Sequence, residues 1–463
     1  MLSMKNNRLI WALLIGAGLW TSCKKADVQA SNLSSNTSTN SSSDADSAAL
    51  LTKDVYLWTE QIPVTFKSSD YSDPNAMMQA LHQYSHEPGY TQPVDRWSFA
   101  MKKDEWNKMS GGYASMNNMT SNGDMGFGVF FLTQNDLRVK AVQPESPAGR
   151  AGVRRGWRVT QVNGSTNLTT SNSDFIVQNV YTNTSGTFVF QKPDGSSVTL
   201  SLTAASYHEH PVLLDTMYNV NGRKIGYFVF NSFLGDTNEV YNNFSRIFSK
   251  FSSAGINDLV VDLRYNGGGY VTMQEKLADY IAPSSADGGL MMKQIYNKNN
   301  SQYNSSTYFH KKGSLNLPRV IFIVTKGTAS ASELLINNLR PYMDVELVGP
   351  TSTHGKPVGF FPIPVKDWYI FPVSFRSTNK NGEGNYFDGL SVNGQVADGL
   401  DKDWGDREEA SLASAINYSV NGALRIVTGT QSVTLPITTD VINSNSKLDQ
   451  TTFKGAIDVR RMR

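Results

Sequence analysis

Cysteine is almost absent from this chain, because Cys23 is the only one among 463 residues. A single thiol excludes an intramolecular disulfide framework and any zinc or iron–sulfur site built from several thiolates. An excess of charge of one sign is also missing, because 42 Lys and Arg residues are balanced by 40 Asp and Glu residues, which gives a net charge of +2. The long-range field that draws a protein to nucleic acid is therefore nearly absent, and we expect no nucleic-acid partner.

Long apolar runs are scarce, and the one at the start of the chain is short. Residues 9–20 carry no charge and follow Lys5 and Arg8. These 12 residues would cover about 18 Å as a helix, well short of the roughly 30 Å hydrocarbon core of a membrane. We therefore interpret residues 1–22 as a secretory signal that is removed.

Cys23 ends this apolar run, directly after Thr21 and Ser22. The pattern resembles a bacterial lipoprotein lipobox, although Trp20 stands where Leu is usual. The resemblance implies that Cys23 is acylated and anchors the protein to a membrane of the bacterial cell envelope. The alternative is that Cys23 belongs to the discarded peptide or is a stray thiol. Residues 23–47, rich in Ser and Asn, are expected to form a flexible linker.

Along the rest of the chain the spacing of apolar residues changes twice, which indicates an α+β protein of several domains. Apolar residues at helical spacing predict a helical N-terminal domain over 48–111. Short alternating runs predict a β-rich domain over 112–205. Alternating strands and helices over 206–420 predict βαβ units, and so a mostly parallel sheet covered by helices. We expect a β-rich tail over 421–463 and assign it no function.

Sites in such α/β folds lie at the carboxyl ends of the strands. A buried strand ends near Thr325 and leads through a glycine-containing turn into a helix start at 330–333. Ser330 or Ser332 would then lie where backbone N–H groups and the helix dipole stabilise a negative oxygen, as a nucleophile requires. The alternative is structural, with Ser330 a helix N-cap and Glu333 its capping-box partner.

A second segment, 262–269, reads Asp-Leu-Arg-Tyr-Asn-Gly-Gly-Gly after another buried strand. Its three glycines let the backbone approach a bound group with exposed N–H groups, as in half of an oxyanion hole. No Gly-Lys-Ser/Thr follows, which disfavours a phosphate-binding loop. The alternative is an ordinary loop.

The third segment places Lys356 among Gly355, Pro357, Val358 and Phe360, an apolar setting for a lysine. A lysine is a general base only when neutral. Lowering its pKa from about 10.4 to about 7 requires roughly 4.6 kcal/mol, which burial can supply. The alternative is a surface loop.

Together the three segments resemble the C-terminal processing, or tail-specific, serine peptidases. That family has an Asp-Leu-Arg-x-Asn-x-Gly-Gly strand end, a Ser-Ala-Ser-Glu turn and a later Gly-Lys loop. The resemblance implies a crotonase-like ββα core, with Ser330 as nucleophile and Lys356 as its base. It also implies an oxyanion hole formed by the N–H groups of Gly268 and Ala331.

One departure concerns the residue that orients the lysine. The family usually has Gln four residues after it, where this chain has Phe360. Ser352 or Thr353 are candidate substitutes. His354 raises an alternative base, since related tricorn-type peptidases use a histidine, although theirs comes from elsewhere in the chain.

The β-rich domain fits the same family, whose members carry a PDZ domain. Gly126, Phe127, Gly128 and Val129 resemble the PDZ carboxylate-binding loop. Successive N–H groups of such a loop bind a C-terminal carboxylate while the peptide adds as a strand. The alternative is a packing or regulatory module that binds no peptide.

Two other histidines, His208 and His210, lie on one face of an extended segment. No third metal ligand is evident from the sequence, and an exposed interdomain strand explains them as well. We therefore expect neither a metal nor a cofactor.

These observations favour an envelope serine endopeptidase that acts on polypeptides through an acyl-enzyme and recognises their C-termini. A catalytically inactive peptide-binding protein on the same scaffold is the main alternative. A surface carbohydrate binder is a third, and rests only on the aromatic content of 11%.

Overall fold

The computed structural model describes residues 44–113, 123–424, 438–449 and 453–461. All of them belong to one compact unit. The predicted signal segment, Cys23 and most of the predicted linker lie outside the described residues. Among the helices in the described ranges, none is long and apolar enough to cross a membrane.

The N-terminal part of the described chain is mainly helical. It comprises α1 (Asp44–Val55), α2 (Pro74–Leu81), β1 (Phe99–Lys102) and α3 (Lys103–Ser110). α2 begins where Asp73 accepts hydrogen bonds from the N–H groups of Asn75 and Ala76, with Pro74 in the first turn, as a helix start requires. β1 pairs with a strand of the core, Phe99 opposite Phe371, so this part is joined to the core by a sheet.

The next part is a five-stranded antiparallel sheet with strands in chain order. Its elements are β2 (Phe127–Thr133), β3 (Asp136–Val142), α4 (Pro147–Arg150), β4 (Arg158–Val162), α5 (Ser173–Ile176), β5 (Ser185–Gln191) and β6 (Ser197–Thr203). Ser146 caps α4 by accepting the N–H of Gly149, as Ser commonly does at a helix start. β2 lies at the edge of this sheet.

The α/β core follows. Its elements are β7 (Val212–Val220), β8 (Arg223–Phe230), α6 (Thr237–Ala254), β9 (Asp258–Asp262), β10 (Gly268–Tyr270), α7 (Val271–Ile281), β11 (Leu290–Tyr296), β12 (Ser305–Tyr308), β13 (Arg319–Ile323), α8 (Ala331–Leu339), β14 (Asp344–Gly349), β15 (Val358–Gly359), β16 (Ile363–Val365), β17 (Trp368–Phe371), β18 (Phe375–Thr378), β19 (Gly394–Gln395) and α9 (Ala410–Asn421).

The central sheet of this core has the strand order β19-β14-β13-β9-β8-β7. Every neighbouring pair is parallel except β7 with β8. Helices α6, α7 and α8 pack on one face and α9 on the other, so the core has three layers. β9, β13 and β14 are adjacent, and their carboxyl ends therefore bring the three candidate segments to one edge.

The tail differs from the prediction, because its described residues are not β-rich. They form a helix, α10 (Thr439–Asp449), and only one short strand, β20 (Gly455–Ile457). Val441, Ser444 and Leu448 are buried and recur three and four positions apart, which is the spacing of a helix face. The polar residues between them obscure this period in the sequence. α10 packs on the five-stranded sheet, where Val441 and Leu448 join its core.

Arg264 is a fully buried cation near the sheet edge that carries the three candidate segments. Its guanidinium donates to Asp262 Oδ2 at 2.7 Å, Asp398 Oδ1 at 2.8 Å and Glu409 Oε1 at 2.9 Å. It therefore joins the end of β9 to the start of α9. Arg155 also pairs with Asp398, so removal of Arg264 leaves the buried carboxylates of Asp262 and Glu409 without a cationic partner.

Arg264→Met should therefore destabilise the protein by about 3–5 kcal/mol, the usual cost of breaking a buried ion pair. The measurement is the shift of the urea unfolding midpoint. Arg150→Met, at an exposed position, is the control. Equal shifts for the two variants would contradict the structural role of Arg264.

Candidate active site

The turn between β13 and α8 holds the two candidate nucleophiles in different states. Ser332 Oγ donates to the Asn266 carbonyl at 2.9 Å. Ser330 Oγ is buried and has no hydrogen-bond partner among the residues that the structure describes. Ser330 also has φ 58° and ψ −107°, which is a strained backbone for a residue with a side chain. Ser330 is thus the hydroxyl that is free to react.

Glu333 links the serine turn to the lysine loop. Its Oε2 accepts the backbone N–H groups of Ser330 at 2.7 Å and Lys356 at 2.9 Å. Its Oε1 accepts the Gly355 N–H and the Thr353 hydroxyl, each at 2.6 Å. At the start of α8 the Glu333 half of a capping box is present, because its carboxylate accepts the Ser330 N–H, and the same carboxylate also fixes the loop across the site.

Glu333 is fully buried. Burial raises the pKa of its carboxyl group, while the hydrogen bonds from Thr353, Lys356, Gly355 and Ser330 oppose that rise. A buried carboxylate with four donors is well satisfied, whereas each donor would be costly to leave unpaired. Glu333 therefore fixes the backbones of Ser330 and Lys356 relative to each other.

Lys356 is 1% exposed. Burial lowers the pKa of its amine well below the usual range, against the opposing charges of Asp95 and Glu333. Its Nζ lies 3.8 Å from the centre of the Phe360 ring and donates to the Lys454 carbonyl at 3.1 Å. In this conformation the lysine hydrogen-bonds to the chain's own C-terminal segment and not to the Ser330 hydroxyl.

The side chains considered as substitutes for the missing Gln have other contacts. Thr353 donates to Glu333, and Ser352 Oγ accepts from Lys326 Nζ at 2.7 Å. His354 Nε2 accepts from Trp97 Nε1 at 3.0 Å. Burial and the nearby cations lower the pKa of His354 to about 3. Thr353 therefore positions Glu333, and the aromatic ring of Phe360 contacts the lysine where the family has an amide.

The glycine loop lies against the nucleophile turn. Gly268 has φ +103°, and a Cβ there would lie 2.9 Å from Ala331 N and 2.3 Å from Gly455 O. Only glycine fits so close to both backbones. In this conformation the Gly268 N–H donates to Asn266 Oδ1 at 2.9 Å. The oxyanion role of Gly268 and Ala331 therefore stays a prediction, and it requires Asn266 to release this N–H.

A segment that the sequence did not point to crosses the site. Gly455 N–H donates to the Gly267 carbonyl at 2.9 Å, and Phe360 N–H donates to the Ala456 carbonyl at 3.0 Å. β20 pairs in parallel with β10. The C-terminal strand is thus hydrogen-bonded to the glycine loop on one side and to the lysine loop on the other.

The loop 126–129, which is predicted to bind peptides, faces the same region. Gly126, Phe127 and Gly128 line a cavity of about 220 Å³ together with Gly267 and Gly268. Gly126 has φ +80°, and a Cβ there would collide with the Ser146 side chain at 1.8 Å.

Val129 lies on the edge strand β2, but its N–H and carbonyl are both bonded to the Tyr181 hydroxyl, at 2.8 and 3.2 Å. Three of the four predicted peptide-binding residues therefore lie beside the glycine loop, and the edge at Val129 is occupied.

Comparison with known proteins identifies the core. Residues 224–388 match the model of Peptidase family S41. This stretch contains all three candidate segments, from Asp262 to Lys356. The core is S41 peptidase-like.

Two relatives extend the S41 likeness. Over 231 residues the chain is 26% identical to the carboxy-terminal processing protease CtpB of Bacillus subtilis (strain 168). That match covers 47% of this chain and 44% of CtpB, so it spans less than half of the relative's length.

The second relative is a solved structure of a Bacteroides fragilis NCTC 9343 protein assigned to the S41 proteases. It superposes with a TM-score of 0.63 at 22% identity and covers 81% of this chain and 97% of that one. It shows that the fold is shared well beyond the S41 core.

Glu333→Gln should loosen both loops, because the amide nitrogen cannot accept the N–H groups that the carboxylate accepts. Each buried donor left unpaired costs about 1–3 kcal/mol. We expect a lower urea midpoint and faster amide exchange at 330 and 355–356. Glu408→Gln, where the side chain is 82% exposed, is the control. Unchanged exchange at these amides would refute the linking role of Glu333.

Proposed function

We propose that this protein is a serine endopeptidase in which Ser330 is the nucleophile and Lys356 its general base. The observation that carries the proposal is the Glu333 carboxylate, whose Oε2 accepts the backbone N–H groups of both residues. Beside it, one hydroxyl is free and one amine is buried. A lysine whose pKa is lowered by burial, on a loop fixed to the turn of an unbonded serine, supplies the base and the nucleophile that acyl transfer needs.

The reaction follows from these groups. Neutral Lys356 takes the Ser330 proton, and Ser330 Oγ attacks the peptide carbonyl carbon. The N–H groups of Ala331 and Gly268 stabilise the resulting oxyanion. Lys356 then gives its proton to the leaving amine, and water hydrolyses the acyl-enzyme.

This cycle needs Lys356 Nζ to leave the Lys454 carbonyl and turn toward Ser330. Because burial lowers its pKa, the neutral base is populated at lower pH than for an exposed lysine. Asp95 and Glu333 limit this fall.

We further propose that the five-stranded sheet acts as a PDZ-like domain that recognises substrate C-termini through Gly126–Val129. The position of this loop on the cavity it shares with the glycine loop supports the proposal. Acylation at Cys23 would hold the enzyme at the cell envelope, where its polypeptide substrates would be envelope proteins.

Ser330→Ala and Lys356→Ala should each lower the rate of peptide cleavage by about 10⁶-fold, the scale seen when a nucleophile or its base is removed. The measurement is hydrolysis of a fluorescein-labelled unfolded polypeptide. Ser332→Ala is the matched control, because it removes a neighbouring hydroxyl that is already bonded.

Cleavage that persists in both dyad variants would overturn the dyad. Polypeptide binding without turnover, unaffected by Ser330→Ala, would instead select the inactive binding protein.

A further inference from the structure

A cluster of two histidines and two glutamates lies away from the proposed dyad. His208 and His210 belong to the segment between β6 and β7, and Glu239 lies in the first turn of α6. His208 Nε2 is 2.7 Å from Glu239 Oε2, and His210 Nδ1 is 2.7 Å from Glu239 Oε1. The third ligand that the sequence did not reveal therefore comes from a helix of the core.

The geometry of these groups suits a metal ion. One ligand atom each from His208, His210 and Glu239 lie within 4.8 Å of one another. Zinc binds nitrogen and oxygen at about 2.0–2.2 Å in a tetrahedron, which places its ligands about 3.4 Å apart. The two histidine–Glu239 distances of 2.7 Å are shorter than this spacing and the common limit of 4.8 Å is longer, so small side-chain movements would admit the ion.

The fourth residue, Glu145, occupies the outer position of a histidine–metal site. Its Oε1 is 2.9 Å from His210 Nε2. A carboxylate on the far nitrogen of a ligating histidine fixes the tautomer and leaves Nδ1 to bind the metal. Two neutral imidazoles and two carboxylates carry a charge of about −2, which a divalent cation neutralises.

We propose that His208, His210 and Glu239 bind a zinc ion, with Glu145 orienting His210. The side chains of the three ligands are 25–30% exposed, so a solvent molecule can complete the tetrahedron. Glu145 lies just before α4, whereas Glu239 lies on α6. The ion would therefore fasten the PDZ-like sheet and its connecting segment to the core.

The test is zinc binding to the full chain after treatment with a chelator, measured by isothermal titration calorimetry with ZnCl₂. We expect one equivalent to bind. His208→Ala and His210→Ala should each weaken binding at least 100-fold, and Glu145→Gln should weaken it 10–100-fold, as for other outer carboxylates. His310→Ala, at an exposed histidine, is the control. Absence of saturable binding, or equal affinity of the double histidine variant, would overturn the site.

The C-terminal residues 438–449 and 453–461 carry a second, independent inference. In α10, Asn445 accepts the Phe131 N–H at 2.7 Å and donates to the Phe131 carbonyl at 2.9 Å. Both groups belong to the edge strand β2. At the end of α10, Asp449 Oδ1 lies 3.1 Å from the buried Lys140 Nζ, which lines the cavity beside the Gly126 loop. A side-chain carboxylate is thus held where the proposed function has a substrate's chain end.

The same segment then contacts the proposed Ser330–Lys356 pair. Lys454 contributes the carbonyl that holds Lys356, and Ile457 is fully buried beyond it. Arg460 secures the end by pairing with Glu275 and Asp458. Residues 438–449 therefore cover the edge strand β2, and residues 453–461 cover the active-site groove.

We infer that this C-terminal segment is an intramolecular ligand that closes the resting enzyme. The inference rests on the proposed function. Main-chain pairing of β20 with β10 gives it the binding mode of an extended peptide, which pairs with an exposed strand. Release of residues 453–461 would open the groove and free the amine of Lys356.

Ile457→Asp in the full chain should release the segment, because a carboxylate replaces a buried apolar side chain. We expect at least a tenfold rise in peptide hydrolysis and in labelling of Ser330 by diisopropyl fluorophosphate. Faster amide exchange over 453–461 checks the release.

Arg460→Ala, whose side chain is 43% exposed, should raise both rates about twofold to fivefold, which corresponds to the usual free energy of a surface ion pair. Lys447→Ala, on the exposed side of α10, is the control.

Release of the segment with both rates unchanged would overturn the inference. Faster labelling of Ser330 without hydrolysis would support closure by the segment and refute the proposed peptidase activity.

Discussion

The buried Glu333 carboxylate is the contact on which the site depends. It accepts backbone N–H groups from the serine turn and from the lysine loop, two segments separated by β14. Because a buried backbone donor without a partner is costly, neither segment can move without losing hydrogen bonds in the other. The strained backbone of Ser330 is held in the same way. The distance between the proposed nucleophile and the proposed base is thus set by main-chain geometry, and the flexible lysine side chain needs only to turn.

The central sheet explains why these segments meet. β9, β13 and β14 are neighbouring parallel strands, and each is followed by one candidate segment. This much followed from the sequence, since alternating strand and helix patterns predict a parallel sheet whose sites lie at one edge. The choice of Ser330 over Ser332 was implied by the family resemblance and did not follow from this pattern. It depends on which hydroxyl is already bonded, and Ser332 is bonded to a carbonyl 66 positions earlier.

Other features could not be predicted from the sequence because they depend on contacts between residues that are far apart in the chain. Trp97, from the N-terminal part, donates a hydrogen bond to His354, which occupies the ring nitrogen of the alternative base. No local sequence pattern indicates this contact. Phe360 is a departure from the family in the sequence, yet in the fold its ring lies against the lysine amine. The tail was predicted as β-rich because its helix is mostly polar, and the packing of Val441 and Leu448 on the five-stranded sheet decides its conformation. The third ligand of the histidine cluster, Glu239, likewise arrives from a helix that the sequence places apart from the histidines.

Acid-quench mass spectrometry decides whether Ser330 forms the covalent intermediate. The enzyme is mixed with an unfolded polypeptide, stopped in acid within the first turnover, digested and mapped. We expect an acyl fragment of the substrate on the peptide that contains Ser330, and no such fragment in Lys356→Ala. Cleavage with the acyl fragment on another residue, or with no adduct under conditions where deacylation is slow, would contradict this expectation.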